Sequence, residues 1–420
     1  MIKASLEDIT IKITDGKHGD CTPEENSGFF FVSCKDVNNG KIDYSNSRQI
    51  TKDDFIEAHK RTMLEPDDIL ITNSGTIGRM ALVKDIPETY RTTFQKSVAI
   101  VKPDKKKILP VYLYYRLQYC VSEFINCSNG SAQKNLLLGT MRNFKLDYPQ
   151  SMEKQRRISN ILSSYDDLIE NNQKQIKLLE EAAQRLYKEW FVNLRFPGHE
   201  NVKIIDGVPE GWEKLALGEL ISYEIGGGWG EESLIDNNEH EAYVIRGTDI
   251  DGLKKGELLS IPLRFHTASN LSSRRLKHGD IVFEVSGGSR TEGVARTARI
   301  VDSMLERWKV PVICASFCKL VRPLNEEISQ YLFDHFRYLR GAKITEEFDK
   351  RSASSIVNYR WKDFLSQRTV LYPDSKVLEK YNGLSVPVYD KIIALSLQIE
   401  SARLSRDMLL PKLMSGEIEL

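Results

Sequence analysis

Two stretches of this chain, about 212 residues apart, run through the same motifs in the same order. Leu6-Glu7-Asp8-Ile9 stands opposite Leu217-Gly218-Glu219-Leu220, and Asp15-Gly16-Lys17-His18-Gly19 opposite Gly226-Gly227-Gly228-Trp229-Gly230. Segment 31–37 matches 244–250, and Asp68-Ile69-Leu70-Ile71-Thr72-Asn73-Ser74-Gly75 matches Asp280-Ile281-Val282-Phe283-Glu284-Val285-Ser286-Gly287. Gly130-Ser131-Ala132 and Arg351-Ser352-Ala353 each precede a Tyr-Pro pair, Tyr148-Pro149 and Tyr372-Pro373, and each pair leads into a long helical pattern. Such a period means one supersecondary unit used twice. The chain therefore reads as a domain and a helix, then a second domain and a second helix.

The helical stretches are stripes of a coiled coil. Ile158, Leu162, Tyr165, Ile169, Asn172, Ile176, Leu179, Ala183, Leu186 and Trp190 recur at alternating steps of four and three, the spacing of an interhelical seam. Asn172 is the polar member, of the kind that fixes register at some cost in stability. Val388, Ile392, Leu395, Ile399, Ala402, Arg406, Leu409 and Leu413 repeat the pattern. Pro387 suits the first turn of that second helix, and Pro411 is expected to disturb its end. At about 1.5 Å per residue the first stretch spans roughly 50 Å. Two such helices separated by a domain pack most simply antiparallel.

Within each copy, short runs of β-branched and aromatic residues (29–32, 69–72, 97–101; 243–245, 281–285, 318–321) alternate with Gly, Asn and Asp turns. One amphipathic helix is expected in each, at 111–118 and 328–339. The fold class is α+β: two α/β domains joined by two long antiparallel coiled-coil helices, with a pseudo-twofold internal repeat. The boundaries fall at 1–151, 152–192, 193–373 and 374–420.

The candidate binding residues lie in two loops per copy. After the Asp-Ile strand comes a turn of small and polar residues, with Asn73, Ser74, Thr76 and Arg79 in the first copy and Ser286, Ser289 and Arg290 in the second, Arg296 following. Backbone N–H groups, hydroxyls and an arginine together suit phosphates and base edges, although a plain tight turn also calls for glycine there. The second loop carries Gln133, Lys134 and Asn135, matched by Arg351, Ser354, Asn358 and Arg360. Asn and Gln pair bidentately with adenine, and Arg with guanine; a solvated loop has the same composition. Trp229, in its glycine frame, is suited to stacking on a base or to packing beneath a loop.

Lys and Arg total 59 against 59 Asp and Glu, so a protein that merely coats nucleic acid is disfavoured. The chain has no run of about 18 apolar residues and no apolar block near Met1, which leads us to expect a cytoplasmic protein. The six cysteines form no CxxC pair and Cys314/Cys318 lack a histidine cluster, so buried thiols rather than a zinc site are expected, and no metal. There is no G-x-x-x-x-G-K-[ST] phosphate loop, no [ND]-P-P-aromatic tetrapeptide, no G-x-S-x-G elbow and no H-E-x-x-H helix. A non-catalytic chain is expected, with no catalytic residues and no cofactor of its own.

Two signatures add a resemblance. Leu186-Tyr187-Lys188-Glu189-Trp190-Phe191-Val192-Asn193-Leu194-Arg195-Phe196-Pro197-Gly198 closes the first helix, and Arg406-Asp407-Met408-Leu409-Leu410-Pro411-Lys412-Leu413-Met414-Ser415-Gly416-Glu417-Ile418 lies near Leu420. With the repeat, they make the chain similar to the specificity subunits of Type I restriction-modification systems. The resemblance implies two target-recognition domains, each reading half of a split site in double-stranded DNA. It implies two methyltransferase subunits docked on the helices, for which Tyr187, Trp190, Phe191, Arg406, Leu410 and Lys412 are the candidates. It also implies adenine-N6 methylation, with restriction subunits as further partners. S-adenosylmethionine, ATP and magnesium belong to those partners. A coiled-coil scaffold that binds proteins and has no DNA specificity is the alternative.

Overall fold

The β-branched runs become strands where the sequence places them. The computed structural model describes residues 1–129, 134–235, 238–287, 294–351 and 356–420, with the backbone alone at Arg351. The chain forms two compact units, Met1–Asp167 with Leu404–Leu420, and Leu168–Arg403. Each contains one copy of the repeat and a portion of both long helices.

In the first unit an antiparallel four-stranded sheet runs Thr10–Asp15, Val98–Pro103, Ile69–Thr72, Met80–Leu82. In the second the order is Ile221–Gly226, Cys318–Pro323, Ile281–Glu284, Thr297–Arg299. A three-stranded sheet accompanies each. It comprises Arg48–Gln49, Phe30–Val32 and Thr92–Phe94 in one unit, and Leu263–His266, His240–Ile245 and Val312–Cys314 in the other. In both, the last pair is parallel. A two-stranded ribbon completes each copy, pairing Ile2 with Tyr148 and Glu213 with Tyr372. The repeat in the letters is thus a repeat in strand pairing. Central strands are β-branched because both faces are covered: Ile69, Leu70 and Ile71 are all fully buried, as are Ile281, Val282 and Phe283.

Gly16 and Gly227 hold equivalent crossings. The Gly16 N–H donates to the Val98 carbonyl (3.1 Å) and that of Gly227 to Cys318 (2.9 Å). A Cβ at Gly16 would lie 1.9 Å from the Phe94 carbonyl oxygen, and one at Gly227 2.2 Å from that of Ala315. Only glycine permits this close approach.

The central helix runs Met152–Tyr187 and ends in a π turn, Lys188–Val192; the C-terminal helix runs Ser375–Ser415. The seam residues Ile158, Leu162, Ile169, Asn172, Ile176, Ala183 and Trp190 are buried. The pairing is antiparallel within each unit. In Leu168–Arg403, Asn172 Nδ2 donates to Gln398 Oε1 (3.0 Å), while Phe191 meets Tyr381 edge-on at 4.8 Å. In the other unit, Arg406 pairs with Asp166, and Leu413 and Met414 join the core that holds Ile158 and Leu162.

Pro387 is not in the first turn of its helix. The helix starts twelve residues earlier, at Ser375, where the Asp374 carboxylate accepts the N–H groups of Lys376 (2.9 Å) and Val377 (3.1 Å). The apolar face there, with Val377, Leu378 and Tyr381 buried against the second copy, outweighs the single hydrogen bond that an internal proline removes. Pro411 likewise sits inside the helix, which continues to Ser415.

Cys21, Cys120, Cys314 and Cys318 are buried thiols, whereas Cys34 is half-buried and Cys127 exposed. Burial raises the Cys314 thiol to about 12 and that of Cys120 to about 11. Among the described residues no helix is long and apolar enough to cross a membrane.

Candidate nucleic-acid interface

The two candidate loops, far apart in sequence, meet at one end of the four-stranded sheet in both copies. In the first, Asn73 leaves its strand with its N–H on the Ser97 carbonyl (3.0 Å) and its own carbonyl accepting the Leu136 N–H (2.8 Å). Ser74 then bridges to Asn135, which in turn bonds reciprocally to Asn129 (3.0 and 2.8 Å). In the second, Val285 repeats the connection: its N–H reaches the Phe317 carbonyl (2.9 Å) and its carbonyl accepts the Tyr359 N–H (2.9 Å). Ser286 pairs with Asn358, which also pairs with Lys350. The Ser286 hydroxyl donates to Asn358 Oδ1 (2.9 Å).

The turn 73–79 is built from within. The Gly78 N–H returns to the Thr72 carbonyl (2.9 Å), the Arg79 N–H donates to the Thr72 hydroxyl (3.0 Å), and that hydroxyl donates to the Thr76 carbonyl. Gly75 and Gly78 have φ of 77° and 87°, the left-handed region that glycine enters freely. Thr76, Arg79, Lys134 and Asn135 are exposed and Ser74 is half-buried. Asn73, by contrast, is buried, so it staples the loops through its backbone and presents no side chain to a ligand.

In the second copy Asn358 is exposed and Ser286 buried against it. Arg296 was expected at the surface, but its Nε and Nη2 hold both oxygens of buried Glu284 (2.9 and 2.7 Å). Its guanidinium is committed inside the protein because the strand partner is a carboxylate needing compensation. Arg360 lies over the Phe348 ring at 5.7 Å, donates to the Glu347 carbonyl and faces Asp363 at 3.4 Å, about half of its side chain remaining exposed. Gln133, Ser289, Arg290 and Ser354 lie outside the described residues, as does the side chain of Arg351.

Two exposed aromatics share this end of the second copy. Trp229 is 40% exposed, with the Arg264 guanidinium 4.9 Å from its ring, and Phe317 is 54% exposed. Sequence reading passed over Phe317 because it abuts the strand Cys318–Pro323.

Three of the residues expected to meet partner subunits are core residues. Tyr187, Trp190 and Phe191 are 2%, 7% and 5% exposed and pack with Tyr331 and Tyr381. The Tyr187 hydroxyl bonds His335 Nδ1 (2.6 Å), while Tyr381 donates to Asp334 (2.8 Å), which also accepts from Gln330 (2.8 Å). Burial holds His335 down to about 3 and pushes the Asp334 carboxyl up. The signature that holds these aromatics reflects packing against the second copy. Arg406 pairs with Asp166 and Asp407, Leu410 is half-buried against the first copy's core, and Lys412 faces Glu417 at 3.3 Å. Among the described residues no group of three His, Cys, Asp or Glu side chains is placed to hold a metal.

Residues 20–181 match the family described as the Type I restriction modification DNA specificity domain. The MjaIX specificity subunit of a Type I restriction enzyme from Methanocaldococcus jannaschii is 27% identical over 401 residues, covering 93% of this chain and 87% of that protein. The EcoBI specificity subunit from Escherichia coli is 29% identical over 147 residues, 34% of this chain and 30% of that one. The fold matches the crystal structure of the Type I restriction-modification S subunit from M. genitalium with a TM-score of 0.60 at 15% identity, over 98% of this chain and 95% of that one. A twofold repeat in letters and in strand pairing, two long helices and these matches agree: residues 20–181 carry a Type I restriction modification DNA specificity domain, and the chain is similar over 93% of its length to a Type I specificity subunit.

Proposed function

We propose that this chain reads a bipartite sequence in double-stranded DNA and directs adenine-N6 methylation or restriction carried out by partner subunits. One observation carries the reading. The same pair of loops is joined by the same backbone bonds at the same sheet end in both copies, as Ser74 with Asn135 and as Ser286 with Asn358. A recognition surface built twice fits a target with two halves. In this reading residues 1–151 and 193–373 are the recognition domains, and 152–192 and 374–420 the helical segments on which two methyltransferase subunits dock. Restriction subunits are further partners.

Arg79 is suited to guanine O6 and N7, Asn135 and Asn358 to adenine, and Lys134 to phosphate. Joining two readers sums their discrimination, since each mismatched pair costs about 1–3 kcal/mol. S-adenosylmethionine, ATP and magnesium act on the partner subunits, and this chain contributes no reacting group. A zero net charge fits a division of labour in which partners supply much of the phosphate grip.

The test is a map of methylated adenines in the source genome with and without this gene. Loss of one split motif upon deletion is the expected outcome. An unchanged map in a strain whose methyltransferase subunit is active would refute the reading.

A further inference from the structure

We propose that Trp229 and Phe317 form an aromatic contact surface through which the second copy alone engages the bases of its half-site. This inference rests on the recognition reading above and identifies a chemistry that distinguishes the two copies.

The placement comes from backbone bonds. The Gly227 and Gly228 N–H groups donate to the carbonyls of Cys318 and Cys314 (both 2.9 Å), tying the Trp229 loop to the turn that carries Phe317. The Phe317 carbonyl accepts the N–H groups of both Val285 (2.9 Å) and Ser286 (3.1 Å), tying that turn to the candidate loop. Trp229, Phe317, Ser286 and Asn358 therefore belong to one continuous loop cluster, at the end of the sheet where Gly226, Cys318 and Glu284 lie.

Among the chain's tryptophans and phenylalanines these two are the exposed ones. Of the chain's five tryptophans, Trp190, Trp212, Trp308 and Trp361 are at most 7% exposed while Trp229 is 40% exposed. Arg264 lies against the Trp229 ring at 4.9 Å and is anchored to Glu232 (2.9 Å). Phe317 is 54% exposed although both neighbouring strands are buried. Both aromatics are held by short, bonded turns, so little conformational freedom is lost on binding.

The first copy places different chemistry at the same positions. His18 occupies the place of Trp229, its Nε2 2.8 Å from Asp15, and Ser97 the place of Phe317, its carbonyl likewise taking the N–H of the residue after the strand (3.0 Å). The first copy thus offers polar groups where the second offers aromatic faces. The charges beside Trp229 favour base contact over backbone contact. Arg264 at the ring is balanced by Glu232, and Glu231 adds an exposed carboxylate, so the local charge does not draw in phosphates. In a duplex the base faces are already stacked on one another, so these rings meet base edges, above all the thymine methyl, and losing one such contact is worth about a ten-fold change in affinity.

The experiment uses the full chain assembled with its cognate methyltransferase subunit and a duplex carrying the methylated motif mapped in the genome. Acrylamide quenching of tryptophan fluorescence, with Trp229→Phe as the reference, isolates the exposed indole. The cognate duplex is expected to cut quenching of Trp229 at least two-fold, and a duplex with only the second half-site scrambled is not. Trp229→Ala and Phe317→Ala should each weaken cognate binding about ten-fold, leave first-half-site discrimination intact and keep the wild-type melting temperature. Wild-type affinity in both variants, when the wild-type complex reads its motif, overturns the aromatic contact while leaving the recognition reading in place. Protection of Trp229 by the methyltransferase subunit without DNA assigns the surface to a protein partner and also overturns it. A wild-type complex that prefers no duplex overturns the recognition reading and this inference with it.

Discussion

Arg79 and Arg296 occupy the same backbone position in the two copies, their carbonyls accepting the N–H of Thr72 (2.8 Å) and Glu284 (2.9 Å), yet their side chains have opposite fates. Across the strand pair Arg79 meets a threonine hydroxyl that bonds only its backbone, so its guanidinium is exposed. Arg296 meets a carboxylate and is fixed by two bonds to it.

Substituting each arginine should therefore give opposite phenotypes. Arg79→Ala is expected to weaken DNA binding by the assembled complex about 5- to 150-fold, the equivalent of about 1–3 kcal/mol, without moving the melting temperature. Arg296→Ala strands the buried Glu284 carboxylate and should cost about 3–5 kcal/mol of stability. Denaturant unfolding and equilibrium DNA titration on both variants separate the two; an unstable Arg79→Ala or a fully stable Arg296→Ala contradicts the assignment.

The His335 imidazole gives the second unit an acid-sensitive element. Its folded-state pKa is about 3 against an ordinary 6.5, so between those values the unfolded chain binds a proton that the folded chain does not. Stability should then fall as pH drops from 6.5 toward 3, at up to about 1.4 kcal/mol per pH unit from this group. Asp334, raised by burial, works in the opposite sense, so the quantity to measure is the slope difference between the wild type and His335→Gln. Equal slopes from pH 6.5 to 4.5 would remove His335 as the cause.

Asn172 places a polar residue on an otherwise apolar seam, 2% exposed and bonded to Gln398. Asn172→Leu is expected to raise stability, since the seam gains apolar packing and exposed Gln398 turns to water, and to relax helix register. A rise in the unfolding midpoint, with new cysteine crosslinking at positions one heptad out of register, checks both effects. A lower midpoint would show that the amide contributes more than the apolar replacement.

Modularity follows from the duplicated loop clusters. Exchanging residues 1–150 for the equivalent part of a relative should change one half of the methylated motif and leave the other. Methylome sequencing of the hybrid decides it, and a change in both halves contradicts independent readers.

The isolated chain should neither cleave nor methylate DNA. Incubation with DNA, Mg²⁺, ATP and S-adenosylmethionine, without partner subunits, is the direct check, and methyl transfer or cleavage would reverse the expectation.

The repeat, the long helices and the strand positions were legible in the letters because each rests on local periodicity. A run such as Ile69-Leu70-Ile71 has one comfortable place, a covered central strand, and the four–three spacing from Ile158 onward has one face to bury. What a side chain does at a site was decided by its neighbour in space. Nothing in the turn sequence says that Arg296 will face Glu284 while Arg79 faces Thr72, because the register of each hairpin is set by how its strands pair and not by the turn letters. The signature that suggested Tyr187, Trp190 and Phe191 as partner contacts does not say what these aromatics pack against, and the tertiary structure seats them in the core of the second copy. The start of the C-terminal helix was misplaced for a related reason. The rule for Pro387 is local, and the burial of Tyr381 and Leu378 that overrides it is tertiary. Phe317 was invisible to pattern alone, because exposure depends on which chain segments arrive to cover a residue, and among the described residues none does.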